Sequence, residues 1–296
     1  MMKHLGIIYA VIATALWGTH SVVGRYLHDT VSSELISFSR LFIGSMTLFS
    51  FVLLSKSGKL DIPKGKNLKS IFTLAVTVAL NLILFHAGLN YTSANNAIVL
   101  ESTAPIFVAL LSPVFFFTRI SMRDLGLSCV AFSGIVLVIT SKGVGEFSVI
   151  GDSLELLAGF TWGLFTILTR KMNMDKSDFH GRLLDLAYIL LASSILILPF
   201  SDITSIEALS AKDLLLLGYL GVFPTAISYG LWFQASYSLR SSQLAIMFNL
   251  AVVFTAINSY IFLDESHNIL SVVGVVLILT SITIVSKSKG TDDGNN

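Results

Sequence analysis

The sequence predicts an all-α membrane protein of ten transmembrane helices, arranged as two inverted five-helix repeats. Three observations lead to this fold class: long apolar segments recur along the chain, basic residues alternate between them, and the two halves share short motifs. Of the 296 residues, 54% are hydrophobic and only 12% are charged, about half the charged fraction of an ordinary soluble domain. Such a chain cannot cover itself with polar side chains in water.

Ten apolar segments are long enough to be spans, because a helix needs about 20 mostly apolar residues to cross the hydrocarbon core. Lys3 precedes the first of them without a small-residue cleavage site, so we expect that helix to be retained rather than removed as a signal peptide. The predicted spans are Leu5–Leu27, Leu35–Ser55, Ser70–Tyr91, Ala94–Thr118, Leu125–Ser141, Ser153–Thr169, Leu184–Phe200, Leu214–Ser236, Ser242–Leu263 and Ile269–Ser286.

The orientation follows from the basic residues in the short loops, since cytoplasmic loops carry the excess of Lys and Arg. With the N-terminus inside, fifteen of the nineteen basic residues fall in inner segments, and Arg25, Lys142 and Lys212 fall in outer ones. Arg40 lies within a span. The inner residues are Lys3, Lys56, Lys59, Lys64, Lys66, Lys69, Arg119, Arg123, Arg170, Lys171, Lys176, Arg182, Arg240, Lys287 and Lys289. We therefore expect a multi-pass protein of the plasma membrane with both termini cytoplasmic.

The two halves share a weak internal repeat. Trp17-Gly18 is followed eight residues on by Arg25, and Trp162-Gly163 is followed by Arg170 at the same spacing, a shift of 145. IVLESTAPIFVALL aligns with LAIMFNLAVVFTAI at a shift of 146. We divide the chain into repeats 1–148 and 149–296; five helices is an odd number, so the second repeat is inverted. In transporters with inverted repeats the site lies near the midplane between the halves.

The chain also resembles the EamA family of the drug/metabolite transporter superfamily. The stretches that carry the resemblance are ALWGTHSVVGR, FSRLFIG, NAIVLESTAPIFVALLSPVFFFTR, GDSLELLAGFTWGLFTILTRK and YGLWFQASYSLRSSQLAIMFNLAVVFTAINSYIFLDE. The resemblance implies ten helices, alternating access, and transport of amino acids or other small metabolites. The chain departs from the family pattern in its ninth helix, where Ala251 stands in place of the usual proline.

Two ionisable residues stand out, because charged side chains inside spans are costly and are functional candidates by default. Arg40 lies about five residues and Glu101 about eight residues from the outer ends of their spans, so their depths differ by about 5 Å. One interpretation is a substrate or proton site in which Glu101 changes its protonation. The alternatives are an ion pair that fixes helix packing, or an Arg40 that reaches outward to the interface.

Three prolines predict bent helices with unpaired carbonyls. Pro105, Pro113 and Pro224 lack the N–H that would bond the carbonyls of Glu101, Ala109 and Leu220. Unpaired carbonyls at membrane depth must line a cavity or find another partner. A kink that only shapes helix packing is the other interpretation.

Polar and aromatic side chains within spans complete the candidates for substrate binding or coupling. Polar ones should face the bundle interior, either as contacts between helices or as ligand contacts. Trp17 and Trp162 occupy equivalent repeat positions, and their rings offer a surface for apolar, aromatic or cationic groups, packing between halves being the alternative. The polar candidates are His20, Asn81 and Asn249, with His86 and Asn258 weaker.

Composition limits the substrate and the partners. Arg40 is the one permanent cation deep within a span, so doubly charged anions fit poorly, and neutral or zwitterionic solutes fit better. The net charge of +1 argues against nucleic acid. We expect no cofactor, no metal site from the single Cys129, no enzymatic motif, and a monomer or weak homodimer in the bilayer. Drug efflux is the main alternative function; a channel, an intramembrane enzyme and a non-transporting receptor fit less well.

Since Arg40, Glu101 and Pro105 have Asp185, Met247 and Ala251 as repeat counterparts, the sequence predicts that function is concentrated in the first half. The second half would then act mainly as its moving counterpart. Proton coupling through Glu101 is a further hypothesis, since Glu101 is the acid identified as lying deepest.

Overall fold

A computed structural model describes residues 2–27, 30–55, 60–92, 94–117, 121–140, 148–174, 178–263 and 268–287. These residues are helical nearly throughout and contain no β-strand. The predicted span ends Thr118 and Ser141, and the basic residues Lys56, Lys59, Arg119, Lys142, Lys176 and Lys289, lie outside these ranges.

Ten helical segments follow one another as predicted, and three of them are divided. They are α1 (Met2–Leu27), α2 (Ser33–Leu54), α3 (Gly65–Leu89), α4a (Ala94–Glu101) with α4b (Ala104–Phe116), α5 (Met122–Thr140), α6 (Val149–Met174), α7 (Phe179–Ile197), α8a (Ala211–Leu220) with α8b (Ser228–Ser238), α9a (Ser241–Phe248) with α9b (Leu250–Leu263), and α10 (Ile269–Lys287). Short 3₁₀ turns at Leu198–Phe200 and Ile203–Ala208 connect α7 to α8a.

Within the described residues, nine of the ten segments have the length and hydropathy of a membrane span. The tenth, α6, is 26 residues long but carries Asp152 and Glu155 in its first turns and Arg170 and Lys171 near its end. It also begins four residues before and ends five residues after the predicted Ser153–Thr169. The all-α, ten-helix prediction is confirmed.

The two repeats interlock rather than sit side by side. Helix α1 packs against α8b and α9b of the second repeat, and its counterpart α6 packs against α3 and both parts of α4 in the first repeat. Helices α2 and α7 pair with each other, as do α5 and α10. The centre of the bundle is therefore built from both repeats.

Glycines permit the closest of these approaches. A Cβ at Gly18 would lie 2.5 Å from Phe254 of α9b, and one at its counterpart Gly163 would lie 3.1 Å from the carbonyl oxygen of Ala104 in α4b. One turn earlier, a Cβ at Gly159 would lie 2.8 Å from the carbonyl oxygen of Glu101. This is the close contact that small residues four apart favour in membrane helices.

The bundle has two chemically different ends. We call the basic end the one where α1, α3, α5, α7 and α9a begin, because the predicted inner basic residues gather there, and the acidic end the opposite one. Between them, the described bundle is filled by one large cluster of buried apolar side chains contributed by both repeats.

Candidate functional site

Arg40 lies deep in α2 and is 9% exposed. Its Nη1 is 2.9 Å from Nε2 of His20 in α1, and its Nε donates to Thr225 Oγ1 at 3.1 Å. Because arginine can only donate, the His20 Nε2 atom accepts and the ring is neutral in this arrangement. Arg40 thereby connects α1 and α2 to the middle of α8.

Pro224 interrupts α8 near the same point. Residues Gly221–Ile227 form a π-helical turn, and the carbonyl of Leu220, which Pro224 cannot bond, accepts a hydrogen bond from Thr225 Oγ1 at 2.8 Å. The predicted unpaired carbonyl thus acquires a partner, and that hydroxyl in turn accepts from Arg40. The carbonyl of Pro224 itself accepts from Trp17 Nε1 at 2.8 Å.

Glu101 is the last residue of α4a, and the helix is broken between it and α4b. Pro105 occupies the first turn of α4b, where its missing N–H leaves no helical bond unmade. The Glu101 side chain is half-buried and accepts from Asn81 Nδ2 at 3.2 Å. Asn81 also donates to the carbonyl of Ala158 in α6, at 2.9 Å, so it ties the break to both neighbouring helices.

Arg40 and Glu101 are not bonded to each other: in the described part of the chain each binds neutral groups instead. The ion-pair interpretation is therefore not what the structure shows. The two charges still attract each other at longer range, and both interact electrostatically with Tyr229 of α8b. Two opposite charges, held apart by neutral partners, thus flank the contact between the repeats.

An aromatic cluster occupies the same central region. The repeat-related Trp17 and Trp162 face each other edge to face with ring centroids 5.7 Å apart. The ring centroids of Tyr229 and Trp232 lie 5.4 Å and 5.1 Å from that of Trp17, and the ring centroid of Phe248 lies 4.8 Å from that of Trp162. The matching sequence positions thus meet at the boundary between the repeats, where the repeat argument predicts a site.

Asn249 divides α9 as the break at Ser102 and Thr103 divides α4. Under the shift of 146, Asn249 is the counterpart of Thr103, so the two interruptions are equivalent although the second half lacks the proline. The Asn249 side chain is 1% exposed, and neither its oxygen nor its nitrogen has a hydrogen-bond partner among the described residues. It directly follows Phe248 of the aromatic cluster in the chain.

Among the described residues, none of the remaining candidates forms a hydrogen bond with Arg40 or Glu101. His86 is half-buried, and its Nε2 is 2.7 Å from Ser37 Oγ, toward the acidic end. Asn258 is half-buried in α9b. Pro113 lies within the continuous helix α4b, which ends where Phe117 adopts a left-handed conformation with φ of 55°.

Three residues that the sequence argument overlooked belong to the centre. Thr225 and Tyr229 surround Arg40, and Glu155 of α6 is 0% exposed and interacts electrostatically with Glu101. All three belong to the second repeat, so residues of both repeats lie around Arg40 and Glu101. Glu155 lies two residues inside its predicted span; counting it among the intramembrane acids would have found it.

Comparison with known proteins agrees with this architecture. The sequence pattern of the EamA-like transporter family matches twice, over residues 4–140 and 149–287. The chain belongs to the EamA-like transporter family. Each match covers one predicted repeat, so this EamA chain is a multi-pass membrane protein and a transporter.

Individual relatives carry transporter names as well. The chain is 28% identical to an uncharacterized transporter of Archaeoglobus fulgidus, over 85% of this chain and 86% of the relative. It is 25% identical to a WAT1-related chloroplastic protein of Arabidopsis thaliana, over 93% and 68% of the two chains. A solved crystal structure superimposes on 95% of the EamA chain and 98% of its own, with a TM-score of 0.79 at 13% identity, which shows the fold alone.

Proposed function

We propose that this transporter carries small zwitterionic metabolites, amino acids being the leading class, by alternating access across the plasma membrane. The observation that supports the proposal is the pair of opposite charges at the repeat boundary, Arg40 and Glu101, each held by neutral partners rather than by the other. A substrate carboxylate would bind the Arg40 guanidinium, and a substrate ammonium would bind Glu101.

The aromatic cluster supplies the rest of the binding surface. Trp17 and Trp162 come from equivalent helices of the two repeats, so a substrate that lies against both rings contacts both moving parts at once. The substrate side chain would pack on these faces, which favour apolar and aromatic groups. Asn249, whose amide is unpartnered in the described structure, would donate to or accept from a polar group of the substrate.

The direction of transport is proposed as export, and both termini are proposed to be cytoplasmic. The excess of Lys and Arg at the basic end supports this orientation. In intact cells, a membrane-impermeant reagent should label single cysteines placed in the acidic-end loops and should not label cysteines placed near either terminus. Labelling of the terminal positions without permeabilisation would reverse the orientation.

The substrate proposal is tested with three related solutes in proteoliposomes that contain the full chain: an amino acid, its decarboxylated amine and its N-acetyl derivative. The wild-type protein should prefer the zwitterion, because only the zwitterion meets both charges. Arg40→Gln should lose most of the preference for the amino acid over the amine, and Glu101→Gln most of the preference over the N-acetyl derivative. Each loss should be about tenfold or more in kcat/KM, as expected for removal of one charge-assisted contact.

Arg123→Gln is the matched control, because Arg123 lies at the basic end, away from the central charges. Discrimination among the three solutes that survives both central substitutions would refute the proposed site. Saturable flux of the amino acid that falls by about tenfold or more in Glu101→Gln liposomes, with unchanged thermal unfolding, would support a carrier. Ion conductance without saturable flux would indicate a channel instead.

Drug efflux is the second candidate, and the aromatic cluster beside Glu101 favours it. The cluster contains five large aromatic rings whose neighbouring centroids lie 4.8–5.7 Å apart, and Tyr229 of the cluster interacts electrostatically with the Glu101 carboxylate. This combination suits an aromatic cation. Such a cation has no carboxylate to bind the Arg40 guanidinium. Transport of an aromatic cationic dye that survives Arg40→Gln and disappears in Glu101→Gln would favour efflux of cations over transport of zwitterions.

A further inference from the structure

Glu155 is an intramembrane acid that the proposed substrate site does not use. It lies in α6, is 0% exposed, and neither carboxylate oxygen has a hydrogen-bond partner among the described residues. The carboxyl group lies directly against α3, since a Cβ added at Gly88 would collide with it. The counterpart in the first repeat is Ala10, which is also fully buried, so the acid is a feature of one repeat only.

Among the described residues, the charged groups around Glu155 offer it no neutralising partner. Its electrostatic neighbours are Glu101 of α4a and Asp152 of its own helix, both acidic. From α3, Asn81 binds Glu101 and Ala158, while His86 is turned to Ser37 of α2. From α8b, Tyr229 lies among the tryptophans. Asp152 is itself held by Thr92 Oγ1 at 2.5 Å and by the backbone N–H of Ser148 at 3.1 Å.

An ionised carboxylate in this position would be costly. Burying an unpaired charge costs several kcal/mol even after relaxation, and two acidic neighbours add repulsion. A metal cation would need several oxygen ligands, whereas the Glu155 carboxyl is enclosed and pressed against a helix backbone. A proton neutralises the group without requiring any space, so this closed arrangement of α3 and α6 requires a protonated Glu155.

Opening of the acidic end would change this balance. The Thr92–Asp152 contact that joins the end of α3 to α6 lies one turn from Glu155, toward the acidic end. When that contact separates, water reaches the carboxyl group and lowers the free-energy cost of ionising it. Closing α3 onto α6 again would then require uptake of a proton.

We propose that Glu155 is a proton-binding site that controls the acidic end of the transporter, which closes only when Glu155 is protonated. The proposal rests on the chain being an alternating-access carrier, the function proposed above. It assigns different roles to Glu101 and Glu155: Glu101 contacts the substrate, and Glu155 binds the proton. It also predicts that the proton sensitivity of the cycle resides in the second repeat.

Opening of the acidic end can be followed without a substrate. In a Cys129→Ser background, Ala97→Cys places a reporter at a fully buried position of α4a, toward the acidic end. Labelling of this cysteine in the full-length, membrane-embedded protein is measured as pH is raised, beside the same reporter combined with Glu155→Gln. Thiol reactivity rises with pH in both proteins, so the ratio of the two rates is compared rather than either rate alone; because an ionised Glu155 beside the reporter would lower thiol reactivity, a rise in this ratio with pH reports opening.

The rate in the Glu155 protein should rise several-fold more with pH than the rate in Glu155→Gln, whose neutral amide mimics the protonated acid. Glu207→Gln, an exposed acid of the acidic-end 3₁₀ turn, is the matched control and should behave as the parent. Equal pH dependence with and without Glu155 would overturn the proposal. So would a response to sodium ions at constant pH that disappears in Glu155→Gln, because it would identify a metal cation as the ligand.

A second readout does not depend on conformational change. The infrared spectrum of the closed protein should contain the carbonyl band of a protonated carboxylic acid, and Glu155→Gln should lack it. Absence of that band from the parent protein would refute the proposal. If the band and the pH response are present but no amino acid is transported, the proton site stands and only the substrate assignment fails.

Discussion

Trp17 and Trp162 occupy equivalent repeat positions but differ in the hydrogen bonding of their indole N–H groups. Both are buried in the central cluster, but Trp17 Nε1 donates to the carbonyl of Pro224 at 2.8 Å, whereas Trp162 Nε1 has no partner among the described residues. The sequence repeat predicts that the positions are equivalent and cannot predict this difference. The difference arises because Pro224 distorts α8 beside Trp17, where it presents a carbonyl.

The tryptophan pair allows a stability prediction with a built-in control. Trp17→Phe should lower the free energy of unfolding by about 1 kcal/mol more than Trp162→Phe, because only Trp17→Phe removes a buried hydrogen bond. Both substitutions replace a bicyclic indole by a single phenyl ring, so the packing effects largely cancel in the comparison. Thermal unfolding of the purified variants in one detergent measures the difference, and a larger loss for Trp162→Phe would contradict the assigned bond.

At the same scale, the sequence identified Arg40, Glu101, Asn81 and both tryptophans but not the contacts that give them roles. Charge and depth predict that Arg40 and Glu101 belong to the interior, since each would be penalised in lipid. The actual partners, Thr225 among them, depend on a π-helical turn that no spacing rule specifies. Side-chain partners between distant segments are set by tertiary packing, which one sequence does not reveal.

At the scale of the helix, the broken segments α4 and α9 form a related pair with different causes. Pro105 accounts for the break in α4, and this break was predictable from the missing N–H. No proline accompanies Asn249, so the interruption of α9 was not predicted. In α9 the N–H of Asn249 bonds Ile246 and the N–H of Val252 bonds Asn249, and the equivalent bonds from Thr103 to Leu100 and from Ile106 to Thr103 are present in α4, so both breaks share one backbone pattern.

Ala251 therefore occupies a position that should accept proline. It lies in the first turn of α9b, just as Pro105 lies in the first turn of α4b. An N–H in the first turn has no acceptor within its own helix, so its loss leaves no helical bond unmade. Ala251→Pro should change the free energy of unfolding by less than about 1 kcal/mol, whereas Ile257→Pro, in the middle of α9b, should cost about 3 kcal/mol or more.

Thermal unfolding and the yield of monodisperse protein measure the two proline variants. Ile257 is a suitable comparison because its side chain is 47% exposed, so little packing is lost with it. Equal destabilisation by both substitutions would show that α9 is continuous through Asn249. An Ala251→Pro variant that is as stable as the parent would support the equivalence of the two breaks.

At the scale of the whole molecule, contacts between the repeats close both ends of the bundle. At the basic end, the Asp124 carboxylate accepts from Arg240 Nη1 at 3.1 Å and from Ser242 Oγ at 2.8 Å. At the acidic end, Thr92 bonds Asp152 and Thr30 bonds Asp213. The alternation of basic loops could predict that the ends differ, but which residues close them depends on how the two repeats interlock.

Because each end is closed by a few contacts, single substitutions in those contacts should change the populations of the closed and open states. Asp124→Asn removes the buried Asp124–Arg240 ion pair, a change that costs about 3–5 kcal/mol in closely packed sites. Opening the basic end hydrates Arg240 and relieves that cost, so Asp124→Asn should favour the state that is open at the basic end. Thr92→Val, which removes the Thr92–Asp152 bond, should favour the opposite state.

A cysteine at position 128 reports the shift, because Ser128 lies one turn from Asp124 in α5 and is 1% exposed. In a Cys129→Ser background, Asp124→Asn should accelerate its labelling by a thiol reagent more than about tenfold, which corresponds to about 1.4 kcal/mol of the destabilisation. Thr92→Val should slow it, because the two ends exchange closure in the alternating-access cycle that we propose. Acceleration by both substitutions would mean that the ends open independently, and the interlocked repeats would not then move as one two-state unit.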